Sequence, residues 1–351
     1  MSHPVASRTR WTLAVVYGLL GALAVTVLVL AFLWPSKTAT PHDLPIGIAG
    51  PVEAVAAFQG QLEQGPPSPF ALVPAADRAD AVSQIEARAT YGAIVLDATG
   101  VPEVLTAPAG SGVAAQLLGG VAAQMQAQSV ERITASGGDP SAAVVTVTPV
   151  VPLAPTDPTG AGLGSASFPL TIGGMIGGIL VSLLVVGPLR RLAALAGFAV
   201  ATGLALALVL QTWFQYLQGD LLVNAAGLGL SVLATSAFIV GLGTLLGQRW
   251  IALGAVITVL VGNPLAGAAA PWQFTPAPWG AIGQYLVPGA ANSLIRTLSY
   301  FPSADASPQW LILTGWTVLG TVLIVIAHAR QGRTRTASST SGQPVAVLAM
   351  T

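Results

Sequence analysis

The chain has no cysteine among its 351 residues and carries charge on only 7% of them. Without cysteine there is no disulfide, no thiolate nucleophile and no zinc–thiolate centre. Lysine occurs once, as Lys37 after Trp34-Pro35-Ser36, so no GxxxxGK[ST] phosphate loop exists and the chain cannot be its own P-loop ATPase. No GxSxG nucleophile elbow occurs either. His3, His42 and His328 lie far apart in the sequence, and none has a second ligand at helical spacing, which leaves no metal motif. Soluble domains carry about 25% charged residues. A chain at 7% charged and 53% hydrophobic belongs mostly in a lipid bilayer.

What is present is a set of long apolar runs around one polar block. Residues 1–10 form a short basic tail with Arg8 and Arg10. Trp11–Trp34 follows without a charge, long enough to cross ~30 Å of hydrocarbon and too long for a cleaved signal sequence. Five further spans are expected at Phe168–Leu189, Leu192–Leu217, Leu221–Leu246, Ile251–Ala270 and Trp310–His328, within membrane segments 168–270 and 310–328, and a basic tail at 329–351. Arg8 and Arg10, Arg190 and Arg191, Arg249, and Arg330, Arg333 and Arg335 fall at alternate ends of successive spans. All thirteen acids fall on the other side, the last two being Asp220 and Asp305. The positive-inside rule then predicts six spans in the plasma membrane, both termini cytoplasmic and residues 35–167 extracytoplasmic.

The polar block at 35–150 alternates strand-like and helix-like runs, which predicts an extracytoplasmic α/β or α+β domain between spans one and two. Strands are expected at Pro45–Ala49, Phe70–Val73, Tyr91–Leu96, Glu103–Thr106 and Ala143–Val151. Helices are expected at Val52–Gln64, Asp77–Ala89 and Gly112–Ala135. The stretch 151–167 is rich in Pro, Gly, Ser and Thr and reads as a linker back to the membrane. Asp77, Asp80 and Glu86 share a helix with Arg78 and Arg88, which reads as a solvated charged face rather than a catalytic cluster. No catalytic residue is assigned.

Gly262–Pro302 is too polar and too broken by Pro264, Pro271, Pro276, Pro278 and Pro288 to be a simple span. It holds Trp272, Trp279, Tyr285 and Tyr300, aromatics of the membrane–water boundary. Short helices over Trp279–Val287 and Ala290–Tyr300 predict an outer re-entrant turn across 271–309, with Gly262, Asn263, Pro264, Gly267, Pro271, Pro288 and Gly289 as its gate. The alternative is an ordinary outer loop with aromatic anchors. Within the spans, the paired small residues Gly173 with Gly177 and Gly174 with Gly178 predict a close helix contact, inside the protomer or across a homodimer. The competing explanation is that glycine is common in spans; the same applies to Gly227, Gly229, Gly241, Gly243 and Gly247. No Asp, Glu, Lys or Arg lies in the core of an expected span, which disfavours proton-coupled transport and charged-ring channels.

One span, a large outer domain and five more spans form a layout similar to that of type-2 ABC exporter permeases, in particular their phage-infection-protein-like branch. The run LPIGIAG at 44–50 opens the outer domain, and FALVPAADRADAVSQIEARATYGAIVLD from Phe70 resembles the family's helix leading to an xGAxVIP-type strand. GNPLAGAAAPWQF and PWGAIGQYLVPGAANSLIRTLSYF resemble its segment between the last two spans. The resemblance covers nearly the whole chain and rests on topology more than on any residue. It implies the membrane half of an exporter, homodimeric and driven by a separately encoded ATP-binding subunit that carries the ATP and magnesium, for hydrophobic or lipid-like cargo, drugs or polymers. It places Pro188, Leu189, Arg190 and Arg191 at the ATPase-coupling turn. The chain itself is expected to hold no cofactor and no metal, to bind no nucleic acid and to be no enzyme. A second expectation, from a different class, is a membrane-anchored receptor or accessory protein of the cell envelope or a secretion system that binds partners through its outer domain.

Overall fold

The computed structural model describes residues 10–64, 67–96, 102–142 and 144–340. Arg8 and most of the N-terminal tail, and residues 341–351 of the C-terminal tail, lie outside the described residues. Helix α1 (Trp11–Thr38) runs past the expected end of the first span, and Pro35 sits in its last turns. It stands at the margin of the bundle, held by an edge-to-face contact of Phe32 with Phe168 at 5.5 Å. Its apolar side chains are exposed on all sides, as suits a helix with a lipid neighbour.

The polar block forms a five-stranded sheet in the order β2-β1-β3-β4-β5. The strands are β1 (Leu44–Ala49), β2 (Phe70–Pro74), β3 (Gly92–Val95), β4 (Glu103–Thr106) and β5 (Thr146–Pro149). β2, β1 and β3 are parallel, β4 runs antiparallel to β3, and β5 is parallel to β4. The connecting helices are α2 (Val52–Gln64), α3 (Arg78–Glu86) and α4 (Gly112–Ala135). Alternation along the strands divides the core in two. Leu44, Ile46, Ile94 and Val104 pack with Ala114 and Leu118 of α4. Ala93 and Leu105, the neighbours of Ile94 and Val104, pack instead with Ala81 and Ile85 of α3. The expected elements of this domain are therefore present, nearly at their expected bounds.

Among the described residues five helices are long and apolar enough to cross a membrane. Besides α1 they are α5 (Ala161–Leu184), α6 (Pro188–Ala207, continued by a π-helical segment Leu208–Trp213), α7 (Leu221–Leu246) and α11 (Ser307–Thr340). α7 is the axis of the bundle, with α5, α6 and α11 packed around it. Small residues bring the backbones together: a Cβ on Gly320 of α11 would fall 2.3 Å from the carbonyl carbon of Ala237.

The expected linker at 151–167 is corrected at its C-terminal end, because α5 already begins at Ala161. Apart from Leu163, its first two turns are Ala, Gly and Ser, small residues with too little hydropathy to mark a span. The expected span Ile251–Ala270 is also corrected. Helix α8 (Ile251–Ala255) and a π-helical segment (Val256–Gly262) end at Asn263-Pro264, and the apolar helix Gln248–Gly262 is shorter than the ~20 residues of a full crossing.

From Gly262 the chain runs to Phe274, which inserts into the α4 side of the sheet core. It then turns back through α9 (Trp279–Gln284), and α10 (Val287–Tyr300) follows. The two limbs of this hairpin lie against each other, with Gly280 beside the Trp272 carbonyl and Gly283 beside that of Leu265. Val287, Ala290 and Ala291 cluster with Ala234, mid-way along α7, whereas Ile295 and Leu298 meet Gly227 nearer its start. α10 thus begins level with the middle of the bundle and climbs to the sheet domain. There Phe301 enters the α3 side of the sheet core, so two phenylalanines fasten the domain from both faces.

Candidate functional site

Helix α3 is capped by Asp77, whose carboxylate accepts the Asp80 N–H at 2.8 Å. After its end at Glu86 the chain places Arg88 in the left-handed region, φ 60°. That conformation turns Arg88 off the helix and onto α10, so it is no member of the solvated face expected for it. Its Nη1 donates to the carbonyl (3.0 Å) and hydroxyl (3.3 Å) of Ser293 and to the hydroxyl of Thr297. The guanidinium also lies 5.3 Å from the centre of the Phe301 ring. Burial pulls its pKa down to about 10, with Tyr91 acting upwards and Arg296 downwards, so it stays charged at neutral pH.

Arg296 reaches the same place from α10 and is 9% exposed. Its Nη1 donates to the carbonyls of Ala109 (2.9 Å) and Gly110 (3.1 Å) in the sheet domain, and its Nη2 to Ala268 in the hairpin (3.4 Å). Neither arginine has a carboxylate partner within salt-bridge distance among the described residues, in contrast to Arg78, which pairs with Glu103 on the surface. Burying an unpaired cation costs several kcal/mol, and here two like charges share one site.

Both arginines line a polar cavity of about 630 Å³ between the sheet domain and the bundle. Its wall includes Tyr91, whose hydroxyl donates to Gln273 and whose ionisation burial pushes upwards, together with Ser293, Asn292 and Gln309. Asp305 is also in the wall, exposed, with its carboxylate accepting the Ser307 N–H at 2.8 Å. Two buried amide oxygens, Asn292 Oδ1 and Gln309 Oε1, have no hydrogen-bond partner among the described residues. A second cavity of about 360 Å³ adjoins it deeper in the bundle, and the two share Ser165 and Asn292 in their walls. The deeper one is apolar, lined by Leu170, Leu206, Leu210, Phe214, Leu228 and Val232 among others.

The residues singled out from sequence fall in three places. Gly174 and Gly178 pack on Thr235 and Ser236 of α7, and Gly177 packs on the Phe198 ring of α6, so these contacts lie within the protomer. Gly173 has no neighbour within 4 Å of its Cβ position among the described residues and lines the apolar cavity. In the hairpin, Gly262 abuts Pro288, Asn263 donates to the Thr171 hydroxyl at 3.1 Å, Gly267 has φ 67°, and Gly289 abuts the Gly283 carbonyl. Pro264 follows Asn263 at the break, Pro271 is buried, and Gly267 and Pro271 line the polar cavity. Tyr300 is not a free boundary aromatic, since its hydroxyl donates to the Tyr216 carbonyl at 2.6 Å.

The third group lies at the far end of the bundle. Pro188–Leu192 is the first turn of α6 rather than a loop, with Pro188 at a helix-starting position. Arg191 folds back to donate to the carbonyls of Val185 (2.8 Å) and Ser182 (3.1 Å) and to the Thr244 hydroxyl (2.5 Å). It fastens the α5–α6 turn to α7, and only Leu189 and Arg190 of this group point outward.

Sequence reasoning did not single out Arg88 and Arg296 as a pair. The available signal was that Arg296 is the sole charged residue between Gly262 and Pro302, a stretch that lies between two expected spans. No family model matches the chain, and no curated protein or solved structure does so either.

Proposed function

We propose that the chain is the permease subunit of a plasma-membrane exporter, with the sheet domain outside the cell and the Arg190 end of the bundle inside. The observation that carries this reading is the two-part cavity, polar at the sheet domain and apolar within the bundle. Broken helices that line a cavity at mid-bundle depth are the usual site of substrate passage in membrane transporters. The interrupted segment Gln248–Gly262, extended by the limb to Phe274, serves as a sixth crossing and keeps both termini inside. A homodimer driven by a separate ATP-binding subunit completes the machine, with Leu189 and Arg190 as its exposed contact. ATP and magnesium belong to that subunit, and this chain supplies the path.

The test is gentle extraction of the tagged protein from its host, followed by mass spectrometry of what remains bound. A stoichiometric P-loop ATPase is the expected result. Recovery of the chain alone, or with envelope proteins only, overturns the ATP-driven reading in favour of a receptor or envelope accessory.

A further inference from the structure

We propose that the two adjoining cavities form one site for an anionic amphiphile. Its phosphate-type headgroup lies between Arg88 and Arg296, and its hydrocarbon chain fills the apolar cavity. Four observations carry this. Two guanidinium groups line one polar cavity without a carboxylate within salt-bridge distance among the described residues, and the one acid in its wall, the exposed Asp305, leaves the site net positive, a charge that an anion would neutralise. Each has donors to spare: Arg88 Nε and Nη2 and Arg296 Nε meet no acceptor among the described residues, and guanidinium forks match phosphate oxygens. The unpartnered oxygens of Asn292 and Gln309 accept hydrogen bonds, which favours a headgroup that also carries hydroxyls, such as a glycerol or sugar phosphate. The apolar compartment lies on the bundle side of the polar one, the order in which a membrane amphiphile presents its two ends.

The site names the cargo class of the transport reading and rests on that reading only for the word cargo. Binding needs neither nucleotide nor partner, so failure of the ATPase test leaves the binding result standing. Native mass spectrometry of the full chain in phosphocholine nanodiscs, titrated with dodecyl phosphate, reads it directly. The expected result is a saturable adduct, little displacement by dodecylphosphocholine, and much weaker binding of inorganic phosphate alone. Arg88→Gln and Arg296→Gln should each weaken dodecyl phosphate by at least about tenfold, with partial recovery in Arg296→Lys.

Both arginines also fasten the sheet domain, so a second variant tests the site without touching them. Gly173→Leu places a side chain where nothing lies within 4 Å of the Cβ, inside the apolar cavity. It should block dodecyl phosphate and leave the weak binding of inorganic phosphate unchanged. The proposal is overturned if dodecylphosphocholine competes as well as dodecyl phosphate. It is equally overturned if inorganic phosphate binds as tightly, or if Gly173→Leu binds like the unaltered chain.

Discussion

The two ends of the bundle carry arginines of opposite character. At the far end Arg190 is exposed, and Arg191 satisfies the carbonyls of Ser182 and Val185, which the turn between α5 and α6 leaves open. At the sheet-domain end Arg88 and Arg296 are enclosed, line the same cavity and keep donors in reserve. Arg191, Arg88 and Arg296 all bind backbone carbonyls, and none of the four has a carboxylate partner among the described residues; what separates the two pairs is enclosure. An arginine that closes a turn beside solvent keeps its charge hydrated, whereas two arginines enclosed at one cavity bring like charges together out of water, which is costly. The charge pattern of the sequence, which reads only the side of the membrane, cannot separate the two cases.

The largest effect that would break this contrast is loss of the bundle that supports both ends. In Gly320→Leu the new Cβ would meet backbone atoms of Ala237 and Phe238, which have no rotamer to yield. The expected cost is about 3 kcal/mol or more, read as loss of a monodisperse folded protein in thermal unfolding. Unfolding like that of the unaltered chain would show that α7 and α11 do not meet there.

Next in size is the far-end clamp. Arg191→Ala should lower stability by about 1–3 kcal/mol, because three acceptors lose their donor. Arg190→Ala should stay within about 0.5 kcal/mol. Melting temperatures of the two variants separate the roles. A transport defect in Arg190→Ala at unchanged stability would mark it as a contact to the ATP-binding subunit.

The smallest effect belongs to the surface of the sheet domain. Arg78 donates to Glu103 at 2.7 and 2.9 Å and holds its carboxyl below the usual range, helped by Thr148 and opposed by partial burial. A depressed carboxyl stabilises the fold above its unfolded value, about pH 4.3, and that contribution is lost as pH falls through the folded value. Because Arg78 is half exposed, the pair contributes less than about 1 kcal/mol. Arg78→Ala should therefore lower stability slightly at neutral pH and not at all in strong acid, measured by denaturant unfolding at several pH values. This exposed pair is the counterpart of the enclosed arginines: it has its anion, and it matters little.

How much of this was legible in the sequence follows from the range of each interaction. The strands and helices of the sheet domain declare themselves through local alternation, and β1, α2 and α4 lie almost where the pattern puts them. α7 coincides with the expected fourth span because Asp220 caps it and Gly247 ends it. The fifth segment misled because hydropathy continues through Ala270, while Asn263-Pro264 ends the helix. The helical hairpin was legible from its prolines, although its break falls at Tyr285-Leu286 and Pro288 starts α10 rather than interrupting a helix. The arginine pair was not legible. Arg88 and its partners on α10 are 205 and 209 residues apart, and only the left-handed turn at Arg88 takes it out of its charged helix.

The most direct test of the account is which side of the membrane each end occupies. The absence of cysteine makes every introduced thiol unique. Glu53 on α2 and Arg190 on α6 are both exposed, at opposite ends. In intact cells a membrane-impermeant maleimide should label Glu53→Cys at once and Arg190→Cys only after permeabilisation. Labelling of Arg190→Cys in intact cells, with Glu53→Cys protected, would put the sheet domain and its two arginines inside the cell and contradict the exporter account.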